Sequence, residues 1–388
     1  MSFSYILESK DAPDGFSELK DDFEFRKDGD NKGRAKVLVL YTGGTLGMVP
    51  DETTGALTPS PEFLRNNIAR IIRDQKDDDD DFPDFLLYQF EQLIDSSDMG
   101  PSDWALIANL IGKHYYKFDG FVVVMGTDTM AYAASALSFM LVNLSKPVIF
   151  TGSMIPMYKG YSDADRNLIL SISIAGTSNI PEVCIFFHAK LLRGNRSKKV
   201  RSEALDAFDS PNFPPLAVAG TKISINEKLI LNTPRRPFKV LTNLDSNVLV
   251  VRLVPGFRND TLRMVVEQSA KLRALVLDLY GVGNAPGRKS GLMAVLQLAI
   301  EKNIVIAVTS QCLQGSVNLK EYAVGRRLYD IGAVSTNDMT VESVATKLAF
   351  LLGQGLTHKQ VNERLSKSIR GEVSDTVTRE RPGTLSTL

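Results

Sequence analysis

The sequence of 388 residues contains few of the side chains on which many enzymes and secreted proteins depend. It has only two cysteines, Cys184 and Cys312, and only three histidines. Two cysteines cannot form a disulfide framework, and no CxxC pair indicates a zinc site. Three histidines leave little for a Ser-His-Asp or Cys-His mechanism. We therefore expect a cytoplasmic protein, kept in a reducing compartment, that holds no metal.

Net charge and long apolar runs are also absent. Lys plus Arg and Asp plus Glu both number 45, so the formal net charge is zero. A neutral chain has no overall positive field to attract nucleic acid. The sequence also contains no run of about 18 apolar residues, the length needed to span a membrane. The first residues lack the pattern of a secretory signal. No P-loop, HExxH or GxSxG motif occurs, and "TGGTLG" lacks the GxGxxG spacing, so the P-loop and dinucleotide-binding interpretations are weak.

Continuous apolar runs that alternate with helical segments are abundant. "KVLVLYTGG", "DGFVVVMGTDT" and "ALVLDLYGVGNAPG" are strands that end in glycine turns, and "TVESVATKLAFLLGQG" is a helix with a threonine cap. This alternation predicts the α/β class, with parallel sheets covered on both faces. The predicted parts are an N-terminal extension 1–34, a larger α/β domain 35–221, a linker 222–246, a smaller α/β domain 247–365 and a loose polar tail 366–388.

Hydroxyl and small polar groups follow several of the predicted strands. Ligands of parallel α/β sheets bind outside the carboxyl ends of the strands. Each group also has an ordinary structural interpretation, such as a tight turn, a helix N-cap or a solvated lysine. Their joint occurrence favours a site. The candidates are Thr42 and Thr45 in "TGGT", Asp95, Ser96 and Ser97 in "DSSD", Thr127, Asp128 and Thr129 in "GTDT", and Lys198 and Lys199 in "RSKK".

These residue types suit acyl transfer. A threonine hydroxyl needs a base to act as a nucleophile, and with few histidines present lysine is the candidate. A partly desolvated lysine can lose its proton near neutral pH, and a second threonine can relay the proton. Glycine lets backbone N–H groups approach an oxyanion. An aspartate beside a serine would bind the α-amino and α-carboxylate groups of an amino acid.

Eight motifs in order resemble the L-asparaginases of the bacterial-type family, and most closely the cytosolic branch. The motifs are "YTGGTLGM", "LIDSSDMGPSDW", "VVMGTDTMAYAASALSFML", "TGSMIP", "SDADRNL", "RGNRSKK", "LYGVGNAP" and "SQCLQGSVN". The resemblance covers about residues 36–355. It implies a larger flavodoxin-like N-terminal domain, a smaller C-terminal α/β domain, and cofactor-free hydrolysis of L-asparagine to L-aspartate and ammonia.

The resemblance also implies roles for individual residues. Thr45 would be the nucleophile, and Thr127, Asp128 and Lys199 would form the triad that moves its proton. Asp95, Ser96 and Ser97 would bind the substrate. The family is usually a homotetramer, a dimer of dimers with its active sites near the dimer interface. Asn284 would be contributed from the neighbouring subunit.

The sequence departs from the family at three places. The loop after "TGGT" has no tyrosine, and Ala56 lies near the position where many family members have one. Tyr322 is the candidate replacement, and an ordinary core or helix tyrosine is the alternative interpretation of this residue. At the allosteric asparagine site that the family often has, Cys312 matches the family residue. Two positions differ, since Asp278 replaces the expected arginine and Lys198 replaces the expected threonine. The Asp278 carboxylate would repel the carboxylate of the effector. The extension and the tail lie outside the family pattern.

Two other functions remain open from the sequence. The amide-hydrolysing subunit of a tRNA-dependent amidotransferase shares "TGGT", "GTDT" and "DADRN", although the neutral charge is unfavourable for a tRNA-binding surface. A non-catalytic amino-acid sensor could retain the same site. Lipid-ester hydrolysis is attributed to related proteins, but no GxSxG motif supports it here.

Overall fold

The computed structural model describes residues 33–60, 67, 82–287 and 291–374. Most of the predicted N-terminal extension and residues 375–388 of the predicted tail lie outside this range. The chain divides into two compact units. The N-terminal unit runs to Ser210 and adds Pro215–Thr242, and the C-terminal unit comprises Pro211–Pro214 and the chain from Asn243.

The N-terminal unit is of the α/β class. Its helices are α1 Pro101–His114, α2 Met130–Met140 and α3 Ala164–Thr177. Its strands are β1 Lys36–Tyr41, β2 Met48–Pro50, β3 Leu57–Pro59, β4 Asp84–Gln89, β5 Gly120–Val124, β6 Leu141–Val142, β7 Val148–Thr151, β8 Val183–Phe187, β9 Lys190–Arg193, β10 Lys198–Lys199, β11 Phe208–Asp209, β12 Ala217–Ala219, β13 Ile223–Ile225 and β14 Lys239–Val240.

The main sheet has eight strands in the order β13-β12-β9-β8-β7-β5-β1-β4. Strands β4, β1, β5, β7 and β8 run parallel, and β9, β12 and β13 complete the sheet with antiparallel pairs. Counted along the chain, the parallel strands have the order 2-1-3-4-5, which confirms the predicted flavodoxin-like sheet. In this topology the chain reverses its direction of winding between β1 and β5. The crevice at their carboxyl ends is therefore the expected ligand site.

Apolar strands are the reason the parallel part of the sheet is buried on both faces. β5 and β8 are buried at every residue, and β1 is buried from Val37 to Tyr41. Strands covered on both faces read as continuous hydrophobic runs, as the sequence predicted. Helix α2 ends at Met140, because Leu141 and Val142 pair with β14.

The segment predicted as a linker contains ordered elements. β13 pairs with β12, and a buried ion pair joins the following residues to the sheet. Arg193 Nε lies 2.5 Å from Glu182 Oε2, Arg193 Nη2 donates to the Leu229 carbonyl at 2.7 Å, and the Leu231 N–H donates to Glu182 at 2.7 Å. The chain from 223 to 231 is therefore held against the N-terminal unit.

The described elements of the C-terminal unit are β15 Val248–Arg252, α4 Asn259–Gln268, β16 Ala274–Leu279, α5 Leu292–Glu301, β17 Val305–Ser310, α6 Ala323–Asp330, β18 Val334–Ser335, α7 Val341–Gly353 and α8 His358–Leu365. The strands form a parallel sheet in the order β15-β16-β17-β18, as predicted. The apolar core of this unit includes Leu277 from β16, Ile306 from β17 and Leu296 from α5. Helix α7 begins after Thr340, whose side chain accepts from the Ser343 N–H, so the predicted threonine cap is confirmed.

The described part of the tail, residues 366–374, is packed, which differs from the expectation of a loose segment. Glu372 and Lys347 are both fully buried, and their charged groups lie 2.5 Å apart. Lys347 also donates to the carbonyls of Leu365 and Lys367. A buried charge needs a partner, and this pair fixes the segment to α7.

Candidate active site

The candidate residues of the N-terminal unit follow three adjacent strands at the switch point. The turn 42–45 follows β1, the segment 95–97 follows β4 by a short loop, and residues 127–129 follow β5. Since parallel neighbours end at the same edge of a sheet, these segments meet there. Backbone hydrogen bonds join them, because the Thr42 N–H donates to the Val124 carbonyl at 3.0 Å and the Ile94 N–H donates to the Thr42 carbonyl at 2.7 Å.

The turn after β1 requires glycine. Gly44 has φ 95° and ψ 174°, a conformation that side chains with a Cβ avoid. A Cβ at Gly44 would lie 2.3 Å from the Gly126 nitrogen, and a Cβ at Gly43 would lie 2.5 Å from the Ile94 carbonyl oxygen. The residues that precede Thr45 and Thr127 therefore pack backbone against backbone. Thr45 itself is half-buried and begins a short 3-10 turn, Thr45–Gly47.

The lysine predicted from far along the sequence does reach the threonine after β5. Lys199 Nζ donates to Thr127 Oγ1 at 2.8 Å and to Asp128 Oδ1 at 2.6 Å. Lys199 lies on β10, where it pairs with Phe208 of β11. Its side chain is 18% exposed and that of Asp128 is 66% exposed, so the cation is mostly covered while its carboxylate partner faces solvent. The structure thus brings Thr127, Asp128 and Lys199 together.

The segment after β4 presents a carboxylate. The Ser97 hydroxyl and N–H donate to Asp95 Oδ1 at 2.7 and 2.8 Å. These donations, the hydroxyl first and the N–H second, lower the pKa of Asp95 below its ordinary value. Both residues are exposed, whereas Ser96 between them is buried. Asp95 is therefore an accessible anion that remains ionised in mildly acidic solution, suited to a cationic ligand group.

Thr129 occupies the N-cap position of α2, but its side chain makes no capping hydrogen bond. Its hydroxyl instead donates to the Ser96 carbonyl at 2.5 Å. Thr129 therefore has the N-cap position that "GTDT" predicts, but its hydroxyl does not bond to the N–H groups of the first helical turn.

The motif "SDADRNL" contributes side-chain contacts that the sequence did not predict. The Asp163 carboxylate accepts from the N–H groups of Met154 and Ile155 at 3.0–3.1 Å. Asn167, four residues later, donates to Asp163 and to the Gly152 carbonyl. The loop held in this way continues to Met157, whose N–H donates to the carbonyl of Leu46, next to Thr45. The i, i+4 spacing of Asp163 and Asn167 on a helix was the available signal.

Four further candidates lie in the C-terminal unit. Tyr322 is 52% exposed and precedes α6, and Asn284 forms a backbone bridge with Tyr280. Asp278 is buried near the end of β16 and lies 3.4 Å from Arg252. Cys312 is exposed after β17. Asp278 and Cys312 thus end neighbouring strands of one sheet.

Lys198, the remaining candidate of the predicted effector site, belongs to the N-terminal unit. It is half-buried on β10 and pairs with Asp209 of β11. The roles predicted for Lys198 and for the four C-terminal candidates stay predictions.

The described residues contain no group of three or more His, Cys, Asp or Glu side chains arranged to hold a metal ion. Within the same ranges, no helix has the length and apolar character needed to cross a membrane.

Comparison with known proteins identifies relatives of both units. The family model "Asparaginase, N-terminal" matches residues 36–231, and the model "Glutaminase/Asparaginase C-terminal domain" matches residues 247–365. L-asparaginase 1 of Escherichia coli (strain K12) is 42% identical over 88% of this chain and 98% of its own. The 60 kDa lysophospholipase of Homo sapiens is 38% identical over 89% of this chain and 63% of its own.

A solved structure agrees with these matches. The crystal structure of L-asparaginase I from Vibrio cholerae O1 biovar eltor superimposes with a TM-score of 0.79 at 37% identity, over 88% of this chain and 99% of that chain. Matches to both family models, in order and over most of the described residues, decide the assignment. The chain belongs to the asparaginase family.

Proposed function

We propose that this protein is an amidohydrolase that converts L-asparagine to L-aspartate and ammonia, with Thr45 as the nucleophile. The observation that carries the proposal is the contact of Lys199 Nζ with Thr127 Oγ1 and Asp128 Oδ1, at 2.8 and 2.6 Å, beside the turn that holds Thr45. Family membership and the 42% identity with the E. coli L-asparaginase 1 support it.

The proposed reaction has two halves. Thr45 Oγ attacks the side-chain amide carbon of asparagine, and its proton passes by way of Thr127 to Lys199 Nζ. The C–N bond breaks as the leaving nitrogen takes that proton from Lys199, so that ammonia departs and an ester to Thr45 remains. Water then adds to the ester and gives up a proton along the same path. The proton returns to Thr45 Oγ as the ester C–O bond breaks, which releases L-aspartate and restores the Thr45 hydroxyl.

Asp95 and its neighbours would select the substrate. The Asp95 carboxylate, with its pKa lowered by Ser97, would bind the α-ammonium group. Binding of the α-carboxylate by Ser96 and Ser97 remains a prediction of the resemblance. Asp128 would orient Lys199, since it is the lysine's anionic partner. The glycine turn leaves room for backbone N–H groups beside the developing oxyanion.

Other predictions of the resemblance remain predictions. They are the cytoplasmic homotetramer with active sites near the dimer interface, the contribution of Asn284 from a neighbouring subunit, Tyr322 as a replacement for the loop tyrosine, and an effector site at Cys312, Lys198 and Asp278. The Asp278–Arg252 contact places an anion already paired with a cation at that position, which argues against an effector carboxylate there.

Ammonia release by the isolated protein tests the proposed function. We expect turnover of free L-asparagine by the wild type and a loss of at least about 100-fold in kcat for Lys199→Met, because the proton path is broken. No turnover without a partner and tRNA would favour the amidotransferase alternative. Binding of L-asparagine without turnover would favour a sensor. A parallel assay with a lysophospholipid tests the activity for which the human relative is named.

A further inference from the structure

The Thr129 side chain does not make the N-cap hydrogen bond that its position predicts. An N-cap threonine normally accepts a hydrogen bond from an N–H in the first helical turn. Here no such bond forms, and the hydroxyl is directed to the Ser96 carbonyl at 2.5 Å. A missing cap hydrogen bond lowers the stability of a helix, so the contact with Ser96 takes the place of a stabilising one.

Ser96 is held from both sides. It is 3% exposed, and a Cβ on Gly126 would lie 2.5 Å from its Oγ, so the Ser96 side chain packs directly on the Gly126 backbone. Its carbonyl accepts from Thr129 on one side and from the Met99 N–H, at 3.3 Å, within its own turn. Thr129 and Gly126 belong to the "GTDT" turn, which also carries Thr127 and Asp128.

The exposed neighbours of Ser96 are the proposed substrate-binding groups. Asp95 and Ser97 bond to each other and not to the "GTDT" turn in any contact described here. Beside the packing of Ser96 on Gly126, the Thr129–Ser96 bond is the side-chain hydrogen bond described between their segment and that turn. This bond therefore helps to set the position of the Asp95 carboxylate relative to Lys199 and Thr127.

We propose that Thr129 is a positioning residue that sets the Asp95–Ser97 segment at the distance required to bind the α-ammonium group while the amide faces Thr45. This inference rests on the proposed function. Thr129 would touch no substrate atom itself and would act through the Ser96 carbonyl. Its loss should weaken substrate binding more than it slows chemistry, because the proton path through Thr127 and Lys199 keeps its own contacts.

The test is steady-state kinetics of Thr129→Val and Thr129→Ser with L-asparagine. Valine keeps the shape but cannot donate, and serine keeps the hydroxyl. We expect Thr129→Val to raise KM about fivefold or more with kcat within about twofold of wild type, as for the loss of one buried hydrogen bond. Thr129→Ser should restore KM to near the wild-type value. Thr129→Ala, which introduces no methyl group beside the carbonyl, serves if the valine variant does not fold.

Thr177→Val is the matched control. The Thr177 hydroxyl also donates to a backbone carbonyl, that of Ser173 at 2.8 Å. Thr177 ends α3, and its neighbour Gly176 packs against Pro83 and Val37 at the start of β4 and β1, whereas the candidate site lies at the ends of these strands. Its substitution should leave both constants unchanged. An unchanged KM in Thr129→Val and Thr129→Ala, a fall in kcat alone, or no rescue by serine overturns the inference while the proposed function stands. An inactive wild type overturns both.

Discussion

At the scale of single residues, the site depends on hydrogen bonds that adjust the charge and position of a few side chains. Asp95 receives two donations from Ser97, and these hold its pKa below the ordinary value. The Lys199 side chain is mostly covered and its ammonium group pairs with Asp128. Each arrangement matches a need of the proposed reaction, an anion for the α-ammonium group and a proton carrier beside Thr127.

The Ser97–Asp95 contact predicts how KM depends on pH. A carboxylate with a lowered pKa stays ionised to a lower pH, so the wild type should keep its KM as pH falls until Asp95 itself protonates. Ser97→Ala removes the larger of the two stabilising donations and raises the pKa of Asp95. We expect the acid limb of the KM profile to begin at a higher pH in Ser97→Ala.

A matched control exists in the loop between β2 and β3. Thr54 donates its N–H and its hydroxyl to Asp51 Oδ1. These two hydrogen bonds, the N–H first, lower the pKa of Asp51. Thr54→Ala should not move the acid limb of KM. A Ser97→Ala profile whose midpoint coincides with that of the wild type would contradict the role assigned to Asp95.

At the scale of elements, the site is a set of strand ends that pack backbone on backbone. Gly44 in the turn after β1 lies against Gly126 in the turn after β5, which brings the segments carrying Thr45 and Thr127 together. Close packing of this kind admits no Cβ, and both glycines lie where the sheet topology opens its crevice.

Two glycine substitutions separate close packing from backbone strain. Gly44 and Gly256 both have positive φ, 95° and 86°, but a Cβ on Gly256 would meet nothing within 4 Å. Gly256→Ala should cost about 1 kcal/mol in the free energy of unfolding, for strain alone. Gly44→Ala also brings its Cβ to 2.3 Å from the Gly126 nitrogen, so it should cost about 3 kcal/mol or more and abolish most turnover. Equal losses in urea denaturation would show that close packing is not the constraint.

The sequence predicted the elements better than the contacts between them. Runs such as "FVVVMG" predict buried strands because periodicity is local, and the residues at their ends follow from the rule for parallel sheets. The Thr129–Ser96 bond joins positions 33 apart, and the Asp163 carboxylate accepts from a loop eight and nine residues before it. No local pattern encodes such bonds. Lys199 was assigned to Thr127 by resemblance, and their separation of 72 residues explains why spacing alone could not do so.

At the scale of the whole molecule, the chain forms two compact α/β units, each with its own sheet. The C-terminal unit is completed by residues after α8 that have no apolar run in the sequence. Their packing depends on Glu372, which accepts from the N–H groups of Ile369 and Arg370 and pairs with Lys347. A polar composition predicted a loose tail because the partner, Lys347, lies in a different element.

Breaking this pair should destabilise the C-terminal unit. Glu372→Gln leaves the Lys347 ammonium buried without its counter-ion, and we expect a loss of about 3 kcal/mol in the free energy of unfolding. Burial already lowers the pKa of Lys347, and Glu372 opposes that shift. Without Glu372 the folded lysine holds its proton less tightly than the unfolded one, so the variant should regain stability as pH rises above the lowered pKa.

Glu267→Gln is the control for this prediction. It breaks an exposed i, i+4 pair with Arg263 in the same unit, whose side chains are 47% and 44% exposed, and should cost under about 0.5 kcal/mol. The double variant Lys347→Met/Glu372→Gln should recover much of the loss. Equal urea midpoints for Glu372→Gln and Glu267→Gln would contradict a stabilising role for the buried pair.

The proposed reaction depends above all on the Thr45 hydroxyl, which the kcat for L-asparagine of Thr45→Ala and Thr45→Ser, measured beside the wild type, tests. Alanine removes the nucleophile, so kcat should fall by about 10⁴-fold, while serine keeps a hydroxyl and should retain measurable turnover. Circular dichroism and urea midpoints should be the same for all three proteins. A folded Thr45→Ala protein that keeps turnover within tenfold of the wild type would contradict the account.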